Sequence, residues 1–63
     1  MNKKINNKIS VIILTHNEEI HIERAIKNIK KISNKIFVVD SFSNDKTIAI
    51  AKKNGAKIYK NKF

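Results

Sequence analysis

Two short β-branched runs, Ile9-Ser10-Val11-Ile12-Ile13-Leu14-Thr15 and Lys35-Ile36-Phe37-Val38-Val39-Asp40, restrict what this chain can fold into more than any other feature. Neither alternates apolar with polar, so each suits a strand buried on both faces, as in a parallel sheet. The stretch between them carries Ile22, Ala25, Ile26 and Ile29 at i, i+3, i+4 and i+7, which is one face of a helix. Asn17 is placed to cap that helix, and Glu18 and Glu19 favour its positive end. Glu23 and Lys27 are set for an i,i+4 pair on the polar side.

The pattern then repeats. Ser43 or Asn44 can cap a second helix carrying Thr47, Ile48, Ala51 and Lys52, and Gly55 stands where a helix ends in a left-handed residue. Ala56-Lys57-Ile58-Tyr59 reads as a short third strand. The order strand, helix, strand, helix, strand implies an α/β fold, a βαβαβ Rossmann-like half with a three-stranded parallel sheet, two helices and right-handed crossovers. In the strand order 3-2-1, both helices land on one face. Either Val11, Ile13, Phe37 and Val39 or Ile12, Leu14, Ile36 and Val38 then face water, and strand 1 keeps an open edge. The expectation is a chain that self-associates or lacks the C-terminal half of a larger domain.

At 63 residues the chain is one domain at most. A chain this short buries only about 60% of the surface it exposes when unfolded. No cysteine is present to staple it by a disulfide or a thiolate metal site. No apolar run approaches the roughly 18 residues of a transmembrane helix. The polar start, residues 1–8, reads as a frayed lead-in, too polar for a signal-peptide core, with residues 9–63 as the folded unit.

The formal charge of +9 invites a nucleic-acid or anionic-surface reading. Thirteen of the 14 cations are lysine, however, whereas nucleic-acid readers lean on arginine and stacked aromatics. With Arg24 as its one arginine and its four aromatics scattered, the chain reads as a solvated surface drifted in composition toward Lys, Ile and Asn. Nucleic acid is disfavoured as a partner. A basic non-enzymatic module for nucleic acid or anionic surfaces, and an interaction protein that completes its sheet with another chain, stand as competing readings.

All five carboxylates fall in two windows, Glu18, Glu19 and Glu23 in one, Asp40 and Asp45 in the other. In a parallel sheet both windows follow strand C-termini, the edge where open α/β folds bind ligands beside helix N-termini. Asn17, Ser43, Asn44 and Asp45 serve equally well as ordinary helix caps. Asp40 ends an apolar strand before any cap position, which favours a ligand-facing role. Other chemistries fit poorly. His16 and His21 are five apart, not the i, i+4 spacing of a zinc helix, and His16 reads as a loop residue. One glycine cannot build a glycine-rich phosphate loop, and Ser41 and Ser43 lack a nucleophile elbow.

The segments ISVIILTHNEE, IERAIKNI and IFVVDSFSNDKTIAIAKKNGAKIY, spanning Ile9 to Tyr59, resemble the N-terminal segment of glycosyltransferase family 2, inverting GT-A-fold enzymes that use nucleotide-diphosphate sugars. They are similar in particular to the subgroup with T-x-N-E-E and V-V-D-S-x-S-x-D-x-T that includes lipopolysaccharide-core β-glucosyltransferases. The resemblance implies that Thr15, Asn17 and Glu18 wrap the base and ribose of the nucleotide, and that Asp40, with Ser41 beside it, contacts the nucleoside. Many members carry a second acid where this chain has Ser41. Asp45 and Thr47 match positions that look like helix-cap and packing residues. The family's divalent metal, Mg or Mn, is held by a D-x-D motif well downstream, and a later carboxylate is the base. Both lie past Phe63, so no cofactor and no catalytic residue is expected within this chain. The resemblance implies the nucleotide-sugar-binding part of a transferase, inactive alone, with a UDP-sugar donor and a cell-surface glycan or lipopolysaccharide acceptor. It also implies a cytoplasmic protein, or one at the cytoplasmic face of the inner membrane.

Overall fold

The computed structural model describes residues 8–62, so all of the expected lead-in except Lys8 lies outside the described residues. Five elements follow one another: β1 (Ser10–Thr15), α1 (Ile22–Ile29), β2 (Lys35–Asp40), α2 (Thr47–Lys53) and β3 (Lys57–Lys60). The strands pair in parallel in the order β1-β2-β3, as the repeated strand-helix pattern requires. Ile22 and Ile26 of α1, Ile36 and Val38 of β2, Ala51 of α2 and Ala56 form one buried cluster. Both helices therefore pack on the same face of the sheet.

The register corrects how the two faces were divided. Val11 sits opposite Ile36, Ile13 opposite Val38 and Thr15 opposite Asp40. Partners in a parallel register share a face, so Val11, Ile13, Ile36 and Val38 turn toward the helices together, and Ile12, Leu14, Phe37 and Val39 turn away. The strand ends explain this choice, because only this register brings the Thr15 hydroxyl within 2.6 Å of the Asp40 carboxylate. The outward face is open. Ile12 is 64% exposed and Leu14 65% exposed, and on the far side of β2 Tyr59 is tilted against Phe37 at 6.2 Å between ring centres. Burial on both faces of strand 1, expected from its unbroken apolar run, is thus absent, since both crossovers place their helices on the other side.

The helix starts also differ from expectation. α1 begins at Ile22 with His21 at its N-cap position and no side-chain cap. Asn17 is instead in the left-handed region, φ 53°, and its side chain reaches across to the second loop. α2 begins after Lys46, and neither Ser43 nor Asn44 caps it. Asp45 accepts the Thr47 amide at 2.9 Å from one residue further out. The helix end is as the sequence reads. The Gly55 amide donates to the Lys52 carbonyl at 3.0 Å and the Ala56 amide to the Ala51 carbonyl at 3.1 Å, a Schellman closure with Gly55 at φ +92°. Glu23 and Lys27 meet at 3.7 Å, an exposed pair that contributes at most a few tenths of a kcal/mol, about 0.3–0.5.

At the opposite end of the strands, Ser33 is fully buried. Its hydroxyl donates to the Ile9 carbonyl and accepts the Lys35 amide at 3.0 Å, pinning the starts of β1 and β2 together.

With so small a core, single contacts matter. Ile26→Ala is expected to cost about 2–5 kcal/mol, comparable to the whole stability of a domain this size at roughly 0.05–0.15 kcal/mol per residue. Ile12→Lys, on the open face, is expected to stay within about 0.5 kcal/mol while removing any association through that face. Urea melts and light scattering of the two variants check both statements.

Candidate functional site

The C-terminal edge of the sheet is built around one carboxylate. Asp40 has no exposed surface, and it is the last residue of a central strand. One of its oxygens accepts the Thr15 hydroxyl and the Ser43 hydroxyl, each at 2.6 Å; the other accepts the Ser43 amide at 2.8 Å. Burial by itself would raise the Asp40 carboxyl, but the Ser43 hydroxyl and amide, the Thr15 hydroxyl and the nearby His16 outweigh it and hold the group below its ordinary value. The carboxylate stays charged and closes the loop after β2 onto the end of β1.

From this centre the two loops are stitched together bond by bond. The Asn17 amide donates to the Ser43 hydroxyl oxygen at 2.8 Å, and the Asn17 side-chain oxygen accepts the Asn44 amide at 2.8 Å. His16 Nδ1 lies 2.6 Å from the Ser41 carbonyl. A carbonyl only accepts, so Nδ1 is the donor in this contact. The Ser41 amide in turn donates to the Thr15 carbonyl at 2.9 Å.

A second carboxylate repeats the device beside the first. Asp45 accepts the Thr47 hydroxyl and amide and, at 3.2 Å, the Glu19 amide. Partial burial raises its carboxyl, and these donors bring it below the ordinary value. Thr47 is fully buried, and its hydroxyl oxygen accepts the Glu18 amide at 2.7 Å. Through Thr47 the first loop is tied to the start of α2. Two residues hold left-handed backbone here, Asn17 and the exposed Phe42, φ 48°. For Asn17 this costs little; for Phe42 it is strained, by about 1–3 kcal/mol.

The five residues read from the sequence are thus brought to one edge in different roles. Thr15 and Asp40 are enclosed and bonded to each other. Asn17 and Glu18 are exposed, and Ser41 is half-buried between the loops. Ser43 and Thr47 are as central as any of them, yet read from the sequence they are a helix cap and a packing residue. Part of the signal was present as spacing, since Asp45 precedes Thr47 by two, the Asx-turn distance.

Beside the edge, between β1 and α1, lies a cleft of 120 Å³ lined by Ile13, Thr15, Glu18, His21 and Ile22. Small-molecule pockets span roughly 300–1,000 Å³, so this cleft by itself is too small to enclose a drug-sized ligand. No group of three His, Cys, Asp or Glu side chains among the described residues is arranged to hold a metal ion. The donor sets of Asp40 and Asp45 explain why they do not fit one: their oxygens already accept hydrogen bonds from the protein.

Fold and edge together define an open parallel α/β unit of the Rossmann-like class, half of a GT-A domain. The chain belongs to glycosyl transferase family 2, whose family description matches residues 10–63. It is 50% identical over 58 residues to an uncharacterised glycosyltransferase of Rickettsia conorii, covering 92% of this chain and 21% of that protein. A glycosyltransferase of Rickettsia bellii is 48% identical over 58 residues, again covering 92% of this chain and 20% of the relative. The 4,4'-diaponeurosporenoate glycosyltransferase of Staphylococcus haemolyticus is 42% identical over 53 residues, covering 81% of this chain and 14% of that protein. The chain therefore spans about a fifth of the length of the Rickettsia relatives, at 21% and 20%. No solved structure matches significantly. No helix among the described residues is long and apolar enough to cross a membrane.

The direction of the two carboxyl shifts sets an acid limit. A carboxyl held below its ordinary value of about 4 contributes stability that is complete above that value and is lost as pH falls through its value in the folded protein. Lowering the pH below about 4 is therefore expected to destabilise the protein. Asp40→Asn is expected to lose about 1.5–3 kcal/mol at neutral pH and to show a shallower acid dependence. Urea midpoints of both proteins between neutral and acid pH measure the two effects.

Proposed function

We propose that this chain is the nucleotide-binding part of a sugar transferase that takes its donor from a nucleotide-diphosphate sugar. The observation that carries the reading is the stitched edge beyond β1 and β2, in a chain of glycosyl transferase family 2. Asn17 and Glu18 are exposed there, with the Ser41 loop beside them, and these are the groups that would meet the base and ribose. Thr15 and Asp40 act one layer behind, by fixing where the loops stand. Uridine diphosphate is the proposed carrier, with Ser41 offering an uncharged partner to the base. For the acceptor, the resemblance supports a cell-surface glycan or lipopolysaccharide, and for the reaction an inverting transfer, at the cytoplasmic face of the inner membrane.

Catalysis is proposed to require residues outside this stretch. Asp40 and Asp45 each accept three protein hydrogen bonds, which leaves neither as a base for an acceptor hydroxyl. A divalent Mg or Mn ion and its D-x-D ligands would be supplied by the remainder of a full-length transferase. That remainder, or a second copy, would also cover the open face at Ile12, Leu14, Phe37, Val39 and Tyr59 and pair with the free edge of β1.

A site that does not enclose its ligand binds weakly. Titration with UDP is expected to shift the amide resonances of Asn17, Glu18 and Ser41 with a Kd on the order of 1 mM, and Glu18→Gln with Ser41→Ala is expected to weaken that response. Unchanged spectra throughout the titration would refute the proposal.

A further inference from the structure

The edge opposite the carboxylates holds the larger cavity, and it is basic. This cavity, 420 Å³, opens at the N-terminal ends of the strands and is lined by Ser10, Asn34, Lys35, Gly55 and Lys57, among others. Lys35 and Lys57 are the first residues of β2 and β3; Lys57 pairs with Phe37, two residues along from Lys35, so both lysines lie on the same face of the sheet as diagonal neighbours. Gly55, in the turn after α2, also lines the cavity. Lys30, at the C-cap of α1, reaches that turn from the helix side, where a Cβ built at Gly55 would stand 3.2 Å from its Nζ.

Charge is segregated along the strands. The two ion pairs among the described residues are His21 with Glu18 and Lys27 with Glu23, and neither reaches this end. Asp40, the last residue of β2, and Asp45 after it lie at the C-terminal end of the strands, away from the cavity. The ends of α1 and α2 do point this way, and lysines at helix ends ordinarily offset the macrodipole. The magnitudes do not balance. Two helix ends carry about half a negative charge each, against Lys30, Lys31, Lys52 and Lys53 at those ends, with Lys35 and Lys57 in addition. The Schellman amides also satisfy carbonyls of α2. An uncompensated positive field remains over a cavity large enough for a small ligand.

We propose that this cavity is an anion site for a phosphate group, held by Lys35 and Lys57 with the Ser10 hydroxyl and the Asn34 amide as neutral donors. It is separate from the nucleoside edge, being at the other end of the same strands, and it does not depend on the transferase reading. The phosphate can come from a soluble phosphate compound or from a lipid headgroup; the chemistry that recognises it is the same.

The test titrates the full chain with inorganic pyrophosphate and, separately, with phosphatidylglycerol vesicles, following the amides of Asn34, Gly55 and Lys57. Saturable shifts confined to these amides are expected, and Lys35→Gln with Lys57→Gln should weaken binding about tenfold. Lys46→Gln with Lys62→Gln, at the other end of the strands, should leave it unchanged. Saturation with pyrophosphate supports the site and assigns it to a soluble phosphate; saturation with vesicles alone, lost in the first double variant, supports it and assigns it to a headgroup. Shifts spread over all lysines without saturation, equal weakening in both double variants, or no response to either probe would overturn the proposal.

Discussion

A buried, charged carboxylate organises this protein. Asp40 is out of contact with water, and its ionised form is tolerable only because three donors, the Thr15 hydroxyl and the Ser43 hydroxyl and amide, converge on it. Those donors belong to two elements far apart in sequence. Satisfying one charge therefore fixes the register of β1 against β2, folds the Ser41–Asn44 turn back on itself, and presents the Ser43 oxygen to the Asn17 amide. Asp45 and Thr47 apply the same logic one step along, carrying the constraint into α2 and the Glu18 amide. The two loops are thus held by side chains, with acidic oxygens in place of the missing helix caps.

The same architecture is one-sided. Right-handed crossovers with sequential strands put α1 and α2 together on one face, and a six-residue buried cluster is all the core that results. Apolar residues on the opposite face are then exposed by topology rather than by sequence error. Two Rickettsia relatives are nearly five times as long, the chain covering 21% and 20% of them. The cleft between β1 and α1, at 120 Å³, is likewise smaller than an ordinary small-molecule pocket.

Much of this was legible from the chain alone, and the failures share a cause. Strand positions, helix faces and the Gly55 closure follow from local pattern: β-branched runs, a 3.6-residue period and a left-handed glycine. Face assignment depends on register, which is a long-range property, and β2 turned out one residue out of phase with the division of faces expected for it. The five proposed site residues do gather at one edge, as strand-end positions must. Their division into enclosed and exposed was hidden, because an aspartate that binds a ligand and one that binds loop amides look alike in sequence. Asn17, Ser43 and Asn44 resemble caps for a good reason: they are short side chains that satisfy backbone amides, and here the amides they satisfy are across the crevice rather than in the next helix turn.

Native-state hydrogen exchange of the loop amides tests the central claim most directly. If the Asp40 carboxylate holds the edge together, the amides of Asn17, Ser43 and Asn44 exchange slowly in the native protein and lose their protection together in Asp40→Asn, while β2 amides paired within the sheet keep theirs. Loop amides that exchange freely in the native protein, or that stay protected when the charge is removed, would contradict the account.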